Sequence, residues 1–240
     1  MKMLIIMKFY PEYRKFLVSL IIVFISLLSF SQNSEITYKI SRDYSGLDDK
    51  NLGMSAKAKI KGIYNALNNK ECVLVFNKDF SVFREVDKIE LDNDPYQKMA
   101  SIFIGGTYYC DRTKQKFVKQ KEFSGKLFNI QLEYEKLDWE ITKHKREIGG
   151  YTCYKAILKS DEAIIVWFAP ELNFPFGPIG MGGLPGLILE LTKNKLIFSA
   201  TKISLGNNAD ILKFPDDGKP ISETDYKKMV KDNTAFLFDN

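Results

Sequence analysis

From Ile102 to Ile203 the chain repeats one pattern, short runs in which apolar and polar residues alternate, separated by brief turns. Phe128, Ile130, Leu132 and Tyr134 alternate with Asn129, Gln131 and Glu133, and Trp139 and Ile141 alternate with Asp138, Glu140 and Thr142. Further runs cover Ile102 to Cys110, Lys116 to Phe123, Tyr151 to Leu158, Ala163 to Ala169, Leu187 to Leu191 and Lys195 to Ile203. Ser124-Gly125, Gly149-Gly150, Ser160-Asp161 and Lys193-Asn194 supply the turns. A period of two buries one face of each strand and wets the other, which demands an antiparallel sheet. The expected fold is mainly β: a curved antiparallel sheet or half-barrel with one or two short helices.

The preceding segment adds smaller pieces. Ile36 to Ile40 reads as a strand, and Leu52 to Leu67 as an amphipathic helix. Cys72 to Phe76 and Ser81 to Val86 read as strands joined by a tight turn at Asn77-Lys78-Asp79. Asp92-Asn93-Asp94-Pro95 reads as a solvated turn; it lacks the glycine and terminal glutamate of a calcium loop. Near the C-terminus Ser222-Glu223-Thr224-Asp225 opens a short helix through Met229, with Ser222 as N-cap.

The first residues have another logic. Lys2, Lys8, Arg14 and Lys15 lead into an apolar run from Phe16 to Leu28, followed by Ser29-Phe30-Ser31. Small residues at Ser29 and Ser31 suit a signal peptidase. The apolar run is short for a bilayer, which needs roughly 20 residues. Residues 1–31 are therefore expected to be a signal peptide, and 32–240 a single β domain with no integral membrane span. Export places the domain in the periplasm or on the periplasmic face of the outer membrane.

The whole chain carries a net charge of +5. Removing the basic leader leaves about +2, near neutrality, which argues against nucleic acid as a partner. Cys72, Cys110 and Cys153 are widely spaced, with no Cys-x-x-Cys pair and no clustered histidine. No zinc site follows from them, and three buried thiols are preferred to one disulfide plus a leftover.

Residues 139–203 carry the sharpest motifs. Tyr151-Thr152-Cys153-Tyr154-Lys155-Ala156 forms one strand, and Trp167 lies on another that ends at Pro170-Glu171. Phe176-Gly177-Pro178 makes a turn, and Gly183-Leu184-Pro185-Gly186-Leu187-Ile188 follows. Glycines and prolines between Gly177 and Gly186 allow neither helix nor regular strand. Leu184, Leu187 and Ile188 are apolar where a loop should be polar, so the loop either packs on the core or meets an apolar partner. The set resembles the GLPGLI family, exported proteins of Bacteroidota named for that hexapeptide. One departure is Leu172-Asn173, where the family usually shows a proline. The Trp167 strand, the proline-containing turn, Gly183-Leu184-Pro185 and the long antiparallel pair after them also resemble the lipoprotein-carrier type of half-barrel, which implies a curved sheet wrapped around a helix or a greasy ligand. The resemblance implies export and association with outer-membrane transport systems; it implies no agreed activity and no cofactor.

No catalytic constellation stands out. His144 is the single histidine and sits in Lys143-His144-Lys145-Arg146, a turn-like basic run. Neighbouring cations discourage a base role there. Tyr151, Cys153 and Lys155 share one strand face and are the best reactive positions, a thiol with a cation nearby. The expected function is that of a non-enzymatic binding or accessory protein, with a peptide, a lipid or an outer-membrane transport protein as partner. Candidate binding residues are Gly183, Leu184, Pro185, Gly186, Leu187 and Ile188 of the loop, with Trp167, Tyr151, Cys153 and Lys155 beside them. A lipid or lipoprotein carrier, and a hydrolase or thiol-dependent enzyme, are the alternatives.

Overall fold

Short alternating runs joined by tight turns fold into one open sheet. A computed structural model describes residues 33–42, 53–86, 94–134, 136–208 and 210–234. The signal peptide expected over residues 1–31, and Asp92 and Asn93 of the expected turn, lie outside them. Among the described residues no helix is long and apolar enough to cross a membrane.

The strands are β1 (Asn33–Arg42), β2 (Glu71–Phe76), β3 (Phe80–Glu85), β4 (Thr107–Asp111), β5 (Lys116–Phe123), β6 (Lys126–Leu132), β7 (Trp139–Ile148), β8 (Tyr151–Leu158), β9 (Asp161–Ala169), β10 (Leu187–Lys193), β11 (Leu196–Asn208) and β12 (Lys219–Ser222). They hydrogen-bond in the order β12-β6-β5-β4-β3-β2-β1-β11-β10-β9-β8-β7. Neighbours are antiparallel except β12, which runs parallel to β6 with Ile221 opposite Ile130. Among the described residues three helices accompany the sheet: α1 (Met54–Asn68), α2 (Pro95–Ile104) and α3 (Glu223–Thr234).

The sheet is curled. β5 and β10 stand six places apart, about 29 Å on a flat sheet at about 4.8 Å per strand. Yet Lys119 of β5 and Lys193 of β10 line one pocket. The expected curved sheet is therefore the observed one. Its hollow face carries Ile36, Tyr38 and Ile40 of β1, Leu74 of β2, Phe83 of β3, Phe198 of β11 and Val166 of β9, all essentially buried. Ala66 and Leu67 of α1 and Ala100 and Ile104 of α2 join the same core.

Two expectations fail in instructive ways. Ile102 and Ile104 belong to α2, not to a strand. Spacing of two mimics a strand, but the ends decide: Asp94 caps the helix by accepting from Tyr96 N at 2.8 Å. Pro95 occupies the first turn, and Gly105 ends the helix at φ 93°. The basic run around His144 is not a turn; it continues β7, where a bulge between Ile141 and Lys145 absorbs extra residues. As the edge strand, β7 presents Lys143, His144, Lys145 and Arg146 to solvent. Bulge and charge together discourage edge-to-edge pairing.

Between β9 and β10 the chain crosses the hollow. Phe174 and Phe176 pack on Phe76 of β2, with ring centroids 4.9 and 6.4 Å away. Leu187 N donates to Leu172 O at 2.9 Å, Ile188 N to Phe176 O at 3.0 Å, and Gly183 N to Pro175 O at 3.1 Å. Trp139 Nε1 donates to Gly182 O at 2.9 Å. Tyr38 donates its buried hydroxyl to Ile188 O at 2.6 Å. The crossing is a structural plug, held by backbone bonds that an irregular segment must find somewhere.

Candidate functional site

The apolar residues of the hexapeptide are core residues. Leu184 is 2% exposed, and Leu187 and Ile188 are fully buried. The expected exposed docking patch is thus corrected. These side chains fill the hollow of the sheet, and only Gly183 and Pro185 of the hexapeptide face solvent. Gly186 is buried because a Cβ there would lie 2.3 Å from Ala169 O.

Tyr151, Cys153 and Lys155 lie on β8, and the register sets Lys155 opposite Trp167 of β9. Trp167 carries the Arg146 guanidinium over its ring at 4.2 Å. Arg146 also pairs with Glu190 at 2.5 Å, and Glu190 accepts from Ser199 Oγ at 3.1 Å. This arrangement is a closed structural network on the convex face. Cys153 is buried, and burial pushes its thiol up to about 11 despite Arg146. The thiol-with-cation chemistry weighed for this strand is therefore not what the structure sets up. Burial likewise pushes Cys110 up to about 11 and Cys72 upward. All three cysteines are free thiols; Cys72 and Cys153 are buried as expected, whereas Cys110 is only partly buried. A folded sample at pH 8 is expected to react sluggishly with an aromatic disulfide reagent, with three thiols titrating only in denaturant. Rapid reaction of one thiol in the native state would contradict these environments.

Among the described residues a cavity lies elsewhere, on the concave face between β5, β6, the β9–β10 crossing and α3. Its volume is about 320 Å³. Lys119 and Lys121 point into it from β5 and Lys193 from the end of β10. Tyr108 of β4 and Phe117 of β5 supply aromatic walls, and Tyr226 of α3 closes one side. Ile179 and Met181 of the crossing complete the lining. Strand pairing builds this wall: Lys119 stands between Tyr108 and Ile130, so an ammonium occupies a row that is otherwise apolar.

The crossing is shaped to fit here. Ile179 adopts φ 47°, a left-handed conformation that costs a β-branched residue of order 1–3 kcal/mol. Gly180 follows at φ 77°, and a Cβ on it would lie 2.1 Å from the Phe117 ring. Strain of this kind persists only where surroundings impose it, and it collects at ligand sites.

Electrostatically the pocket is predominantly cationic: Glu223 is the one carboxylate among its lining residues, and Asp161 favours the charged form of Lys193. Lys119, Lys121 and Lys193 form no hydrogen bond or ion pair with a described residue; Lys119 lies 5.1 Å from the Tyr108 ring centre. Glu223 is paired with Lys227 at 2.6 Å. Desolvation, then Lys121 and Lys193, push Lys119 down to about 8, while Glu223 opposes the shift. Burial also lowers Lys121 and Lys193. Among the described residues no three His, Cys, Asp or Glu side chains come together to hold a metal. What this site can do is attract and hold an anion beside aromatic and aliphatic surface.

Sequence reasoning named none of these pocket residues. The signal was nonetheless present in β5, where Phe117, Lys119, Lys121 and Phe123 share one face. Lysines in phase with half-buried aromatics are the signal that sequence reading passed over.

Fold and site together define a curled antiparallel β domain with a cationic pocket in its hollow. The family model described as "N-glycanase peptide, N-terminal domain" matches residues 65–224, so the chain belongs to that family. The matched span contains Lys119, Lys121 and Lys193. No curated protein matches the sequence. Among solved structures, PNGF-II in its P21 crystal form is similar over 83% of this chain and 33% of its own, with a TM-score of 0.55 at 17% identity. The C2 form gives 0.54 at 17% identity, over 83% and 32% of the two chains. The likeness is one of fold, and this chain spans about a third of the length of those structures.

Proposed function

We propose that this chain is an exported, non-enzymatic binding or accessory domain that holds an anionic ligand in its concave pocket. The observation that carries the reading is the set of three half-buried lysines, Lys119, Lys121 and Lys193, which form no described ion pair and whose ammonium forms burial disfavours. Leaving ammonium groups desolvated is costly unless something arrives to match them. The lysines also disfavour an apolar lipid as the occupant. The family description, the N-terminal domain of an N-glycanase, supports a place beside glycan-bearing ligands. The resemblance of residues 139–203 to the GLPGLI family supports export and an outer-membrane setting. Native mass spectrometry on the protein purified from its own periplasm tests the reading. A co-purifying small anion supports it. A bare mass, with no thermal stabilisation by any anion, removes it.

A further inference from the structure

We propose that the concave pocket is a receptor for a phosphate monoester carried on a sugar-like ring. The inference rests on the binding reading above and specifies its ligand. Charge is the first argument. Lys119, Lys121, Lys193 and Lys227 oppose only Glu223 among the charged side chains lining the pocket, and Lys227 already pairs with Glu223. That leaves three ammonium groups, from β5 and from β10 on the far side of the hollow, with no described ion pair; Asp161, outside the lining, favours the charged form of Lys193 without matching the pocket's charge. A carboxylate brings one negative charge. A phosphate monoester brings about −1.5 to −2 at neutral pH and three acceptor oxygens, enough for each lysine to donate to a different oxygen. Lysine serves phosphate well as a point charge, without the planar fork that carboxylate recognition exploits.

Size and lining supply the second argument. A volume of about 320 Å³ lies at the small end of ligand pockets, room for one ring with its phosphate but not for an acyl chain. Tyr108, Phe117 and Tyr226 offer aromatic surface, with Ile130, Ile179 and Met181 completing the lining. A sugar ring places its C–H face on such surface and its polar groups toward the open side. The left-handed Ile179 and the Gly180–Phe117 contact hold that wall in position.

Proton linkage supplies a signature. Lys119 faces Lys121 on its own strand, Tyr108 on β4, Lys193 on β10, and Glu223, Tyr226 and Lys227 on α3. Its ammonium is held down to about 8 by desolvation and by the other lysines. A bound dianion offsets both influences by favouring the ammonium, so at pH 8.5 binding must take up a proton.

Isothermal titration calorimetry on the full mature protein tests this with glucose 6-phosphate, glucuronate, inorganic phosphate and glucose as probes at one ionic strength. Glucose 6-phosphate is expected to bind at least about tenfold tighter than the other three, with proton uptake at pH 8.5 shown by buffers of different ionisation enthalpy. Lys121→Met and Lys193→Met are each expected to weaken it about tenfold with the circular dichroism spectrum unchanged. The methyl glycoside separates sources: equal affinity identifies the phosphorylated end of a glycan, and loss of affinity identifies the free sugar phosphate. Glucuronate binding as tightly as glucose 6-phosphate overturns the phosphate assignment and leaves the anion-binding reading standing. Lysine variants that bind like the parent place the site elsewhere and overturn the inference. No binding of any anion to correctly folded protein removes both.

Discussion

Replacing Lys119 with methionine is expected to stabilise the ligand-free fold, by about 1–2 kcal/mol at pH 7. The sign follows from linkage. In the unfolded chain this lysine titrates at its ordinary 10.5, and in the fold at about 8. Below pH 8 both states are protonated, and the fold bears the full cost of a desolvated cation. Between pH 8 and 10.5 the folded protein releases its proton while the unfolded chain keeps it, so stability rises with pH across that window. Each pKa unit is worth about 1.4 kcal/mol, and the partly exposed side chain requires a discount for solvent screening. Methionine keeps the volume and removes the charge. Its advantage should shrink as pH rises from 8 and vanish near 10.5. Urea denaturation of parent and variant at pH 7, 9 and 10.5 measures this. A variant less stable than the parent at pH 7 would mean that the ammonium is compensated, and the argument for the pocket would lose its electrostatic basis. A gain in stability on removing a lysine that ligand binding needs is the trade expected of a functional site.

The second large effect concerns two glycines of one hexapeptide. Gly186→Ala is expected to cost about 3 kcal/mol or more, and Gly183→Ala only about 1–2 kcal/mol. A Cβ at Gly186 meets Ala169 O at 2.3 Å, Ala169 C at 2.7 Å and Pro170 Cα at 2.8 Å. All three are backbone atoms, held because Leu187 pairs with Ala169 in the β9–β10 ladder. None can swing aside as a side-chain tip would. At Gly183 nothing lies within 4 Å, and the penalty comes from φ 85° alone. Denaturant midpoints for the two variants should fall in that order. Equal costs would mean that the close approach of the crossing to the end of β9 is not as described.

The hexapeptide builds the plug: Leu184, Leu187 and Ile188 fill the hollow, and Gly186 lets two backbones touch. The pocket then forms against the plug's opposite flank, at Ile179 and Met181. A motif that stands out in the sequence marks a packing requirement here, and the chemistry sits on strands whose residues look ordinary.

The strands were legible because a period of two has one physical explanation, a sheet with one buried face. The tight turns were legible because glycine, asparagine and aspartate accept backbone angles that other residues resist. The cap of α3 was legible too: Ser222 accepts from Asp225 N at 3.1 Å, although the helix runs on to Thr234. α2 was missed because Ile102 and Ile104 imitate strand spacing, while Asp94, Pro95 and Gly105 carried the better signal. The parallel pairing of β12 with β6 had no local signature, since it joins segments some ninety residues apart.

By itself, then, the sequence determined the class of fold, the places where the chain turns, and the need for a glycine- and proline-shaped crossing. Local periodicity and backbone stereochemistry suffice for those. Only the tertiary structure decided what faces what. Curling brought Lys193 across to Lys119, turned Leu184, Leu187 and Ile188 inward, and sealed Cys153 beneath Arg146 and Trp167. Burial and clustered charge are properties of residues distant in sequence and adjacent in space, and no window along the chain contains them.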